Sequence, residues 1–166
     1  MLPLPEKYNY KMNKTATFDF AAIIKRAAML SAFEAKQAVN TNGESMFADV
    51  RIYSKDNEAI TAYIREGAEM LEAMLATTFT IDVTDDATPT TPATKITWTF
   101  TDLDPRRTDI NADKFTEAIV CYTLSRWLDN KIPKTAQAYT AMFKDLSEAA
   151  VKITKTKKKP QRPAES

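Results

Sequence analysis

The sequence predicts a mainly α protein with a β-hairpin, an α+β fold in which a small helical bundle carries a two-stranded hairpin and extended termini. Three observations predict it. Apolar residues recur at helical spacing between Ile60 and Leu75. Two short runs, residues 79–83 and 96–100, alternate apolar and polar side chains instead. Residues 115–128 are apolar over most of a helical circumference, as suits a helix buried centrally or shared between subunits.

Residues 1–16 read as an extended N-terminal arm, because Pro3 and Pro5 disfavour regular structure and no apolar period is present. A helical domain follows over residues 17–154. Its first helix spans residues 18–39, with Phe20, Ile23, Ile24, Ala27, Leu30 and Ala38 near one face. Asn40 to Gly43 stops it, since Asn and Gly tolerate the left-handed backbone of a helix end. Residues 44–53 fit a strand or a helical turn equally well.

The next helix has the clearest signal. Ile60, Tyr63, Ile64, Gly67, Leu71, Met74 and Leu75 form one apolar stripe, and Ser54 or Asp56 caps its start. Gly67 inside that stripe costs up to about 1 kcal/mol against alanine, so close helix–helix contact is its expected reason. A hairpin covers residues 78–101. Phe79, Ile81 and Val83 alternate with Thr80 and Asp82, and Ile96, Trp98 and Phe100 with Thr97 and Thr99, which reads as two half-buried strands joined by a long polar tip that contains Pro89 and Pro92. Residues 103–110, with Pro105, Arg106 and Arg107, read as a turn-like connection.

Two helices complete the domain. Asn111 or Asp109 caps one that runs to about Leu128, and Pro133 suits the first turn of the other. The last helix carries its stripe on Tyr139, Met142, Phe143, Leu146, Ala149, Ala150 and Ile153. Residues 155–166 are a polar, basic tail without the means to form a core.

Composition removes most chemistry. There is no histidine, one cysteine (Cys121) and only two glycines. His-based catalysis, cysteine zinc sites and glycine-rich phosphate loops are therefore excluded. Neither a secretory signal nor a continuous apolar span of roughly 20 residues is present. Charge is uneven: residues 15–151 hold 14 basic and 20 acidic residues, whereas residues 152–166 hold six basic and one acidic. An acidic body with basic ends argues against a DNA-binding face on the folded domain and reads as arms that reach for a partner.

Each remaining cluster has an ordinary explanation. Asp82, Asp85, Asp86, Asp102 and Asp104 are the best candidates for binding a hard metal, but hairpin geometry separates the tip pair from the basal pair by about 20 Å. Arg106 and Arg107 have Asp102, Asp104 and Asp109 nearby as counter-charges. Cys121 lies in an apolar helix and reads as a small buried hydrophobe. Trp98 and Trp127 read as core or interface fillers. The tail, with Lys152, Lys155, Lys157, Lys158, Lys159 and Arg162, suits phosphates, an acidic protein groove or plain solvation.

One resemblance adds to this. A helix opened by Asp56-Asn-Glu-Ala-Ile60, a threonine-rich hairpin, and Ala-Ile-Val-Cys-Tyr-Thr-Leu-Ser-Arg-Trp-Leu on a late helix follow one another. This order, over residues 53–153, resembles the head–tail connector (adaptor, or head-completion) proteins of tailed bacteriophages. The resemblance implies a structural virion protein of the phage neck, made in the host bacterial cytoplasm. It implies a homo-oligomeric ring, a dodecamer, beneath the portal protein and above the next neck or tail ring protein. DNA passes through such a ring without sequence-specific binding. The reading expects no enzyme activity, no cofactor, no metal and no membrane. It assigns portal contact to the six basic tail residues, and inter-subunit or inter-ring contact to Thr88, Pro89, Pro92 and Trp127. The alternative is a small regulatory or nucleic-acid-binding helical module that uses the basic tail.

Overall fold

The computed structural model describes residues 12–103 and 110–155. In order they form β1 (Met12–Asp19), α1 (Phe20–Ala35), a single turn α2 (Phe47–Val50), a 3-10 turn (Ser54–Asp56), α3 (Asn57–Ala76), β2 (Thr80–Asp85), β3 (Lys95–Leu103), α4 (Ala112–Leu128) and α5 (Pro133–Lys155). The fold is mainly helical with one antiparallel sheet, as the sequence predicts, but the sheet has three strands in the order β1-β3-β2. Residues 1–11, 104–109 and 156–166 lie outside the described residues, and with them Asp104, Arg106, Arg107, Asp109, Lys157, Lys158, Lys159 and Arg162.

The added strand corrects the reading of the N-terminal segment. Residues 12–16 are extended, but as a strand paired with β3 rather than as an arm, and Phe18 belongs to that strand rather than to α1. The physical reason is a period of two that local helix propensity obscures. Ala16 and Phe18 are buried while Thr15, Thr17 and Asp19 are exposed. Phe18 meets Trp98 of β3 edge-on at 4.6 Å between ring centroids, and Trp98 meets Phe115 of α4 at 5.6 Å. That aromatic column joins the inner face of the sheet to the helices. The outer face is nearly all threonine: Thr17, Thr97 and Thr84 share one register row, and Thr15 and Thr99 align with Asp82 in the next.

Helix boundaries follow local chemistry. Asp19 caps α1 by accepting from the backbone N–H of Ala22 at 3.2 Å, and Asn111 caps α4 by accepting from that of Lys114 at 3.2 Å. α1 ends at Ala35, before the expected stop. Asn40 to Gly43 instead form a tight turn, where Gly43 takes a φ of +79° and the Asn40 side chain accepts from the N–H groups of Asn42 and Glu44. α3 buries Ile60, Ile64, Gly67, Leu71 and Leu75 of its stripe and α5 buries Tyr139, Phe143 and Ala150, but Met74 and Met142, expected on those stripes, are exposed at their edges; Pro133 is the first residue of α5.

α4 lies at the centre. Phe115, Ala118, Ile119, Val120, Leu124 and Leu128 are all fully buried, and the helix packs on α1, α3, α5 and β1. Gly67 marks its crossing with α3: a Cβ there would lie 3.0 Å from Cδ1 of Tyr122 and 3.2 Å from its Cβ. The two helices approach closely at this glycine, as the stripe predicts, and any larger side chain would press on Tyr122.

Candidate interaction surfaces

The exposed hairpin tip is organised by its own hydrogen bonds. Asp86 accepts from the N–H groups of Thr94 (2.7 Å) and Lys95 (3.0 Å) and from the Thr94 hydroxyl. Those contacts, the hydroxyl first, hold its carboxyl down at about 2. Thr88 and Thr91 bond each other through backbone and hydroxyl groups alike. Asp85 caps the start of the loop by accepting from the N–H of Ala87 at 3.0 Å. Thr88, Pro89 and Pro92 are all exposed on this tip, and only Ala93 at its end is buried.

Trp127 lies elsewhere and is engaged within its own chain. Its Nε1–H donates to the backbone oxygen of Val50 at 2.6 Å, and the Lys131 ammonium sits 3.8 Å from the ring centroid. Burial lowers the pKa of Lys131, while Asp56 and Asp49 act in the opposite direction.

The carboxylates are distributed as hairpin geometry requires. Asp85 pairs with Ile96 at the tip end of the sheet, whereas Thr80 pairs with Thr101 at the far end, next to Asp102. Among the described residues no group of three or more carboxylates and cysteines is arranged to hold a metal ion. Cys121 is buried, and burial pushes its thiol up to about 11. Beside it, Tyr139 donates to Glu34 at 3.0 Å, and burial followed by that bond raises its phenol well above the usual range.

Clefts also open on the described surface. Lys152 and Lys155, on the last turns of α5, line one of about 450 Å³ with Met74, Glu148 and Val151. A larger, mostly apolar groove of about 530 Å³ lies where four segments meet: Phe20, Ile24 and Ala28 of α1, Ile52 and Tyr53 before the 3-10 turn, Asn57 and Thr61 of α3, and Ala93 and Thr94 just before β3. Buried Ser31 joins two of these segments. Its hydroxyl donates to the Ala28 carbonyl and accepts from the Ile52 N–H, each at 2.9 Å, which ties the Ile52 segment to α1. The sequence reading missed this groove. Its lining comes from positions some seventy residues apart, and the alternating Ala16–Phe18 signal that places the start of α1 was the only local clue.

The burial of α4 removes one argument for subunit contact. Its apolar circumference is covered by α1, α3, α5 and the sheet of the same chain. Exposed apolar surface remains instead on Met29 and Phe33 of α1, each about 60% exposed, and on Met142 of α5. Among the described residues no helix is long and apolar enough to cross a membrane. No protein-family model, no curated protein and no solved structure matches the chain.

Proposed function

We propose that the protein is a structural component of the neck of a tailed bacteriophage, a ring-forming connector between the portal and the next neck protein. Support comes from the order of α3, the hairpin, α4 and α5, which is the order on which the resemblance rests. The observation that carries the reading is the hairpin tip. A polar loop that the core does not need is nevertheless held in one shape by its own hydrogen bonds, which is what a contact surface requires. In this reading Thr88, Pro89 and Pro92 meet a neighbouring subunit or ring, and Met29, Phe33 and Met142 replace α4 as the apolar surface that a ring hides. Lys152 and Lys155 start the basic segment that docks on an acidic portal surface.

Light scattering and electron microscopy of the protein with a purified portal test this. The expected result is a ring on the portal, lost on truncation after Thr154. A chain that ignores portals but shifts duplex DNA with a steep salt dependence overturns the reading in favour of a nucleic-acid-binding module.

A further inference from the structure

We infer that the groove between α1 and the start of α3 receives the Leu2-Pro3-Leu4-Pro5 segment of a second copy of this chain. The inference rests on the self-association proposed above and specifies the contact that produces it. The groove has apolar walls from Phe20, Ile24, Ala28, Ile52 and Ala93, with the half-buried Tyr53 ring on its rim. Arg51 and Lys55 stack on that ring at 5.2 and 5.8 Å from its centroid and hold it in place. Aromatic-lined grooves suit short proline-containing segments, because such segments are already extended and lose little entropy on binding.

The sequence of residues 1–11 matches this in shape and charge. Leucine and proline alternate over residues 2–5, and Glu6, the one acid among residues 1–11, follows directly. It would meet Lys25 in the groove wall and Arg51 and Lys55 at the rim. The path of β1 decides between the chain's own arm and a neighbour's. Met12 lies opposite Leu103 and Asp19 opposite Lys95, so β1 enters from the end of the sheet remote from Phe20 and the groove. Strand geometry puts about 26 Å between Met12 and Phe20. Residues 2–5 of the same chain would meet the groove only if residues 6–11 doubled back along the whole of β1. A second copy meets no such constraint, and a heterologous arm-in-groove contact propagates from subunit to subunit, which closes into a ring when the rotation allows.

The test mixes isotopically light and heavy full-length chains that carry a photo-reactive p-benzoylphenylalanine in place of Leu4. Cross-linked peptides are then identified by mass. The expected products join position 4 of one isotope to a peptide containing Ile24 or Tyr53 of the other. Leu4→Asp, outside the described body, and Ala28→Arg, in the groove, are each expected to weaken self-association by about tenfold or more in light scattering. Same-isotope products alone, no cross-link to the groove, or unchanged self-association of Leu4→Asp overturns the inference. Portal-bound rings without groove cross-links refute it and leave the neck reading standing. Mixed-isotope groove cross-links in a protein that ignores portals do the reverse.

Discussion

α4 and the hairpin tip are both held in one shape, by opposite means. α4 buries Phe115, Ile119, Val120, Leu124 and Leu128 completely and is specified by packing against α1, α3, α5 and β1. The tip exposes all of its residues but Ala93, and is specified by Asp86, Thr88, Thr91 and Thr94 bonding one another. An apolar helix in the sequence therefore marked the centre of the chain, whereas a polar loop marked an outer surface tied by its own hydrogen bonds. Apolar content alone does not identify an interface, since a helix can spend it entirely within its own chain.

The largest effect should come from α4. Leu124→Ala is expected to lower unfolding free energy by about 2–5 kcal/mol in urea denaturation, because neighbours on several sides cannot collapse into the cavity. A loss well under 1 kcal/mol would mean that α4 is not the shared core element.

Gly67→Ala sharpens the same side of the comparison. Alanine brings up to about 1 kcal/mol of helix propensity, while overpacking costs about 1–3 kcal/mol. The nearest atoms are Cβ, Cγ and Cδ1 of Tyr122, whose ring is pinned by a 3.0 Å bond to Glu66 and an edge-on contact with Phe143 at 5.2 Å. Overpacking should win, for a net loss of about 1 kcal/mol. In a Tyr122→Ala background the same change should become neutral or stabilising, and a double-mutant cycle reads the difference.

Trp127→Phe tests whether the end of α4 serves its own chain or a neighbour. It removes the donor to the Val50 oxygen and should lower stability by about 1–2 kcal/mol without altering the mass of any assembly. A change in oligomeric mass at unchanged stability would restore Trp127 as a subunit contact.

At the tip the effects are local. The Asp86 carboxyl sits at about 2 in the folded chain against an ordinary 3.8, so its contribution is complete above about pH 4 and fades as pH falls toward 2. Protection of the Thr94 and Lys95 amides, measured against the intrinsic exchange rate at each pH, should fall over that window, and Asp86→Asn should abolish this pH dependence of protection. The smallest effect is expected for deletion of residues 88–92, at under about 0.5 kcal/mol. Ala93 has to stay, because it is 6% exposed and lines the groove; a deletion that includes it damages the body as well. In the neck reading the shorter deletion leaves the fold intact and impairs assembly.

Several elements were determined by the sequence itself. The stripe of α3, the start of α5 at Pro133, the Asn111 cap, the pairing of β2 with β3 and the tight packing at Gly67 all follow from interactions within a few turns or across one hairpin. Other features depended on partners far along the chain. Residues 12–19 became a strand because β3 offers a second edge and Trp98 a ring for Phe18, about eighty residues away. α4 became an internal helix because α1, α3, α5 and the sheet surround it. The groove brings together segments far apart in the chain, with Ser31 tying the Ile52 segment to α1 and the Phe20 N–H donating to the Thr94 carbonyl. Local sequence sets dihedral preference and apolar period; which surface covers an apolar face is a long-range choice, made by packing and visible only in the assembled fold.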